Sequence, residues 1–172
     1  YSKNMGKGHA VKKGIFSCKS EWILTCDLDM SVLPEQYLIW CRRKLIKDIN
    51  CAYIASRKHK KSKIKSKFIR RKLGDIFRLI LVILFNIRIS DTQCGFKVYH
   101  KNYIKYVYKR MKIARYAHDV EALLILQSKG IKIKELPVKW KHQSGSKINI
   151  ITDSFKMLLD LFILRLKLSL VK

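Results

Sequence analysis

With 172 residues, 48% of them hydrophobic, the chain is long enough for one domain with a core, and its composition excludes a disordered polybasic tail. Lys and Arg number 38 against 12 Asp and Glu, so an anionic partner is expected: nucleic acid, a phospholipid surface or a phosphorylated substrate. The longest apolar run, residues 79–85, is far short of the ~20 residues that span a bilayer, which argues against a transmembrane segment.

The first half of the chain is predicted to alternate helices and strands. Apolar spacing indicates a helix over residues 9–19, a strand over 22–26 and a helix from Pro34 to about residue 49. The segment CAYIAS at 51–56 is almost entirely apolar, which is typical of a strand covered on both faces. We therefore expect an α/β fold with a mostly parallel sheet flanked by helices.

The second half continues the α/β pattern with more basic residues. Residues 57–72 contain ten Lys or Arg and are expected to form a mobile loop that enters an apolar helix. The later predicted elements are a short strand at 95–99, a helix at 118–128 ended by Gly130, an edge strand in IKIKELPVKW, and an amphipathic helix at 150–168. The five cysteines have no CxxC pair, so we interpret them as reduced thiols that act mainly as small hydrophobic side chains.

Two carboxylates, Asp27 and Asp29, follow the strand predicted at 22–26. Ligands of open α/β sheets bind at the carboxyl ends of strands, and alternate residues of an extended segment point the same way. Hard oxygen ligands in this position suit Mg²⁺ or Mn²⁺ with a bound diphosphate. The alternative is that Asp29 or Ser31 caps the helix that follows.

Three further segments are candidates for phosphate binding. The glycines around Lys7 open a helix whose N–H groups can meet a phosphate, although a plain glycine-rich turn explains them equally well. The basic run before the apolar helix fits a segment in a membrane interface, with Arg70 at headgroup depth; a nucleic-acid patch and a solvated loop are the alternatives. Lys147 lies in a Ser/Gly-rich turn that either holds a phosphate or is simply exposed.

Two polar segments lie elsewhere. ISDTQCGFKVYH has the composition of an active-site loop, but its residues alone do not define a task. Asp119 and Glu121 begin a predicted helix, where acids either complement the helix dipole or project toward a substrate.

Taken together, these segments resemble family-2 glycosyltransferases of the dolichyl-phosphate (polyprenyl-phosphate) glucosyltransferase type. The likeness extends from residue 4 to about residue 168. It is carried, in order along the chain, by NMGKGHAVKKG, CDLD, ASR, DTQCGFK, HDVEALL and PVKWKHQSGSK.

The resemblance implies a GT-A fold and a role for each candidate residue. Asp27 and Asp29 would hold Mg²⁺ or Mn²⁺ against the donor diphosphate. The catalytic residues would be Asp29 and Asp119, with Asp119 as the base-like carboxylate. The substrate-binding residues would be Lys7, Arg57, Arg70, Lys97 and Lys147, of which Arg57 and Arg70 match positions associated with the lipid phosphate.

The resemblance also implies an inverting enzyme that moves a hexose from a nucleotide sugar, with UDP-glucose the first choice, to a polyprenyl or dolichyl phosphate. We expect it to lie peripherally on the cytoplasmic side of an anionic membrane, with nucleic acid the less favoured partner. Residues 1–147 would form a partial catalytic domain with the basic loop and interfacial helix at 57–89 inserted, and 148–172 a C-terminal amphipathic helix. The family's opening strand and uridine-binding loop are not recognised here, so an N-terminally incomplete domain, or an inactive remnant of one, is expected.

Overall fold

A computed structural model describes residues 3–65, 68–143 and 150–169. These residues form six helices and six strands. In chain order they are α1 (Lys7–Ser17), β1 (Trp22–Thr25), α2 (Glu35–Arg42), β2 (Cys51–Ser56), β3 (Lys63–Lys65), α3 (Phe68–Phe85), β4 (Lys97–His100), α4 (Lys101–Arg110), α5 (His118–Ser128), β5 (Lys132–Pro137), β6 (Lys139–Lys141) and α6 (Ile150–Ser169).

The main sheet has four strands in the order β1-β4-β2-β5, and its directions are mixed. β2 pairs with β5 in parallel, whereas β4 is antiparallel to both β1 and β2. The prediction of a mostly parallel sheet is therefore wrong. The reason is the connection between β2 and β4. The segment containing α3 starts at the carboxyl end of β2 and returns to the same end of the sheet, so β4 runs back in the opposite direction.

The core lies on both faces of the sheet. Successive residues of β2 point to opposite faces: Ala52 and Ile54 pack among α1, α3, α4, α5 and α6, while Tyr53 packs on the opposite side with Trp40 of α2. All six residues of β2 are buried, which confirms the interpretation of CAYIAS as a strand covered on both faces.

Most predicted elements are present, with three omissions and one overextension. The sequence interpretation missed α4 and the strands β3 and β6, which pair in parallel as a separate two-stranded ribbon. The helix predicted to reach residue 49 ends at Arg42, and Lys44 adopts a left-handed conformation (φ 51°) that stops it. Gly130 follows α5 with φ 70°, the conformation that its predicted capping role requires.

Helices α3 and α6 contact each other and bury one side while their other side stays apolar. The exposed apolar side chains are Ile76, Leu79 and Ile83 on α3 and Phe155, Leu159, Phe162, Ile163 and Leu166 on α6. Among the described residues, neither of these helices nor any other is both long and apolar enough to pass through a bilayer.

Candidate functional site

Three strand ends meet at one edge of the sheet and bring the polar motifs together. Asp27 lies just after β1, Arg57 follows β2, and Lys97 is the first residue of β4. Because β4 is antiparallel, Lys97 pairs with Thr25 at the end of β1 and with Ile54 near the end of β2. The reversed direction of β4 therefore places the end of the DTQCGFK segment, at Gly95, beside the Asp27 carboxylate.

Lys7, the first residue of α1, lies between two carboxylates. Its Nζ is 2.6 Å from Oδ1 of Asp27 and 4.0 Å from Oδ2 of Asp119. Burial lowers the pKa of Lys7, but the charges of Asp119 and Asp27 outweigh burial, and the net shift is upward. Lys7 therefore carries a positive charge at neutral pH and balances acids of the protein itself.

Two glycines allow close approaches around this site. A Cβ on Gly95 would lie 2.3 Å from Oδ1 of Asp27, so only glycine lets the carboxylate pack against this loop. A Cβ on Gly8 would lie 2.7 Å from Cβ of His118, at the start of α5. These contacts give the glycines near Lys7 and in DTQCGFK packing roles, and phosphate binding by the glycine turn stays a prediction.

Lys97 and Asp119 form a buried ion pair in which the Lys97 ammonium group donates to Oδ1 of Asp119. Lys97 is fully buried and Asp119 is 5% exposed. Burial alone would raise the pKa of Asp119, but the charges of Lys97, His118 and Lys7 hold it at about 2. Burial also lowers the pKa of His118, whose Nε2 is 3.7 Å from Oδ1 of Asp119. Asp119 is therefore a fixed carboxylate at neutral pH.

Arg57 and Asp91 form a second ion pair where β2 ends. The Nε of Arg57 donates to Oδ2 of Asp91 at 2.7 Å, and its Nη2 donates to Oδ1 at 2.8 Å. The backbone N–H of Arg57 also donates to Oδ2 at 2.8 Å. Burial opposes ionisation of Asp91, but the hydrogen bonds and charge of Arg57 lower its pKa overall. The guanidinium, 5.8 Å from the Trp140 ring centre, is partly exposed and can meet a ligand on its open side.

Asp29 is exposed and organises the turn after β1. Its Oδ1 accepts a hydrogen bond from the backbone N–H of Ser31 at 2.9 Å. The N-cap of α2 is Pro34, and no side chain accepts a hydrogen bond there, so the alternative that Asp29 or Ser31 caps this helix is wrong.

Metal binding by Asp27 and Asp29 stays a prediction, for which carboxylate oxygens are chemically suited. Within the described part of the chain, Asp27 and Asp29 each engage only Oδ1, which leaves Oδ2 of both for a hard cation. Residues 3–65, 68–143 and 150–169, which the structure describes, contain no group of three or more His, Cys, Asp and Glu side chains that could hold a metal ion.

The remaining candidate site residues are Glu121, which has a structural role, and Arg70 and Lys147, whose side chains the structure does not describe. The Glu121 carboxylate accepts the backbone N–H groups of Lys112 and Ile113, so it organises the loop before α5. Arg70 lies within α3, but its side chain is outside the described set, and Lys147 lies outside the described residues altogether.

The sequence alone did not identify Asp91 or Gly95 as site residues, although both lie in the polar segment ISDTQCGFKVYH. An acid and a glycine flanking a short polar segment between two apolar elements are the signals that point to them. What each one contacts is evident only in three dimensions.

The fold and the site define an α/β domain whose strand ends gather acidic and basic side chains, the position where open sheets bind their ligands. A dolichyl-phosphate beta-glucosyltransferase of Saccharomyces cerevisiae is 34% identical over 179 aligned residues, covering 96% of this chain and 53% of the yeast protein. The human protein of the same name is 33% identical over 177 residues, with the same two coverages. A relative from Trichomonas vaginalis is 31% identical over 160 residues, covering 92% of this chain and 49% of that protein.

No protein-family model matches the sequence. The chain nevertheless aligns with dolichyl-phosphate beta-glucosyltransferases over 92% to 96% of its own length, which confirms the resemblance seen in its motifs. It spans about half the length of the curated relatives it matches.

Proposed function

We propose that this chain forms part of the catalytic domain of an inverting family-2 glycosyltransferase with a GT-A fold. It would transfer glucose from UDP-glucose to dolichyl phosphate on the cytoplasmic face of a membrane. The relatives named above support the acceptor and the sugar. The observation that carries the proposal is the meeting of Asp27, Lys7, Arg57 and the Lys97–Asp119 pair at one sheet edge.

The proposed reaction forms a bond from a lipid phosphate oxygen to the anomeric carbon of the sugar and breaks the bond from that carbon to the nucleotide diphosphate. Displacement from the opposite side inverts the configuration, so an α-linked donor gives a β-linked product. Asp27 and Asp29 would hold a divalent cation, which when bound stabilises the negative charge of the departing diphosphate.

Asp119 is better suited to fixing charge than to accepting a proton in this reaction. A carboxylate with a pKa of about 2 is a weak general base near neutral pH. The acceptor phosphate is already an anion at that pH, so it needs no strong base. We therefore assign Asp119 to orienting Lys7 and Lys97 within the site, and Arg57, steadied by Asp91, to the acceptor phosphate.

The assay that tests this function incubates the protein with Mn²⁺, UDP-[¹⁴C]glucose and dolichyl phosphate, and measures label in the lipid extract. Asp27→Asn is expected to lower product formation at least about tenfold, because the cation loses a charged ligand. Glu21→Gln is the matched control, since Glu21 is highly exposed and pairs with Lys101 away from the site. Unchanged turnover in Asp27→Asn would contradict the metal assignment. Tight, salt-sensitive DNA binding without a glycolipid product would favour the nucleic-acid alternative.

The acceptor lipid requires a membrane-facing surface, and we propose that α3, α6 and the ribbon of β3 and β6 form it. The two helices expose apolar side chains, and the ribbon adds Lys63, Lys139 and Lys141 to the basic turn at 57–61. Exposed apolar side chains combined with clustered lysines fit the interface of an anionic bilayer.

Vesicle binding tests this surface through a single exposed side chain. Ile83→Glu in α3 is expected to weaken co-sedimentation with phosphatidylcholine–phosphatidylserine vesicles at least about threefold, because a charge replaces an inserted apolar group. Leu38→Glu in α2 makes the same change at another exposed apolar position and is expected to leave binding unchanged. Equal losses in both variants would contradict this assignment of the surface.

A further inference from the structure

We propose that Lys7 is an internal counterion of the candidate metal site: its ammonium group holds the Asp27 carboxylate in the absence of a divalent cation, and a bound cation releases it toward the donor diphosphate. This inference rests on the proposed function. It gives Lys7 two alternative partners, an acid of the protein and a phosphate of the substrate.

The first support is the position of the Lys7 ammonium group. It lies 2.6 Å from Oδ1 of Asp27, in direct contact with a carboxylate that would coordinate the cation. A divalent cation on Oδ2 of Asp27 would repel the ammonium group that contacts Oδ1 of the same carboxylate. Binding of a cation at Asp27 would therefore weaken the Lys7 contact.

The second support is the difference between the two lysines near Asp119. Lys97 contacts this carboxylate directly, and both side chains are almost fully buried. Lys7 lies farther away, at 4.0 Å, and its side chain is 30% exposed. Asp119 thus keeps its main counterion when Lys7 moves, so release of Lys7 does not leave a buried acid without a partner.

The third support is the charge balance of the cluster. Lys7 and Lys97 balance Asp27 and Asp119, and Arg57 balances Asp91. A cation at Asp27 and Asp29 makes the charge of Lys7 available for an anion. Because Lys7 begins α1 next to the same strand end, the released ammonium group remains within the site that would receive the diphosphate.

The test measures Mn²⁺ binding and UDP binding separately, without turnover. Lys7→Met is expected to bind Mn²⁺ about tenfold more tightly than the unmodified protein, because a competing charge is removed from a partly exposed pair. In the presence of saturating Mn²⁺ the same variant is expected to bind UDP about tenfold more weakly, because the diphosphate loses a cationic partner. Isothermal titration calorimetry gives both affinities.

Lys12→Met is the matched control, since Lys12 lies on the same helix and lines a different cavity of about 120 Å³ with Tyr108 and Met111. The same loss of charge there is expected to leave both affinities within about twofold, because Lys12 lies more than one helical turn beyond Lys7 and solvent screens its charge. Affinity changes of opposite sign in Lys7→Met alone would support the proposal, since damage to the fold weakens both.

Two outcomes overturn the inference in distinguishable ways. If Asp27→Asn abolishes Mn²⁺ binding but Lys7→Met binds Mn²⁺ no more tightly than the unmodified protein, Lys7 is not a competing counterion and the metal site stands. If neither the unmodified protein nor Lys7→Met shows Mn²⁺ binding that depends on Asp27, the metal assignment fails together with the inference.

Discussion

Replacing Lys97 with Met is expected to lower the free energy of unfolding by about 3 to 5 kcal/mol, the range found when one partner of a buried ion pair is removed. Lys97 is fully buried and donates to Asp119, which is itself 5% exposed. The substitution leaves the carboxylate without its closest counterion in a site that water barely reaches. Lys7, 4.0 Å away and partly exposed, compensates only in part.

Urea denaturation at pH 7 measures this loss, with Lys101→Met as the matched control. Lys101 begins α4 and pairs with Glu21 at 3.1 Å, but both side chains are exposed, so its removal is expected to change stability by less than about 0.5 kcal/mol. The double variant Lys97→Met/Asp119→Leu is expected to regain most of the lost stability, because neither charge of this buried pair remains. A Lys97→Met protein as stable as the control would show that the pair is not a buried one.

The effect of Lys97→Met depends on pH in a direction fixed by Asp119. Its pKa is about 2 in the folded protein, whereas an unperturbed Asp has a pKa of about 3.9. A depressed folded pKa gives stability that is present above about pH 4 and is lost as the pH falls toward 2. The stability difference between the unmodified protein and Lys97→Met is therefore expected to narrow over that interval.

Replacing Asp91 with Asn is expected to lower the free energy of unfolding by about 2 to 3 kcal/mol, less than at Lys97 because the Arg57 side chain is 35% exposed and screened by solvent. Asp91 accepts two side-chain hydrogen bonds and one backbone hydrogen bond from Arg57. An amide has no charge and only one acceptor oxygen, so it cannot receive the fork of the guanidinium.

The control for Asp91→Asn is Asp75→Asn, which removes an acid paired with Lys58 at an exposed position on α3. That change is expected to cost less than about 0.5 kcal/mol in the same urea experiment. Arg57→Lys keeps the charge but not the planar fork, and is expected to lose most of the stability that Asp91→Asn loses. If Asp91→Asn and Asp75→Asn were equally stable, the Arg57–Asp91 pair would not anchor the loop after α3.

The sequence predicted the chemistry of several segments better than it predicted their connections. Apolar β2, the helix that begins at His118 and the cap at Gly130 follow from local composition and spacing, and the structure contains all three. Local patterns fail where distant residues decide. Helix α4, KNYIKYVYKR, has a mixed basic and aromatic composition and no acid in its first turn, and its buried Tyr103 and Tyr108 hold it in place through tertiary packing.

The ribbon of β3 and β6 illustrates the same limit. Each strand has three residues and is rich in Lys, a residue with low strand preference. Neither strand is recognisable alone, because its hydrogen-bond partner lies more than seventy residues away in the chain. Pairing joins the basic loop to the segment after Pro137 and concentrates lysines that the sequence keeps apart.

By itself the sequence determined the α/β class, the carboxylates at the end of a strand, and the similarity to dolichyl-phosphate beta-glucosyltransferases, because these depend on local order along the chain. The tertiary structure alone decided the direction of β4 and which cation balances which acid. The chain has 38 Lys and Arg residues, and no local sequence pattern predicts that Lys7 pairs with Asp27 or that Lys97 pairs with Asp119. Ion pairs form where the chain route brings distant segments within a few ångströms, and that route is set by how the core packs.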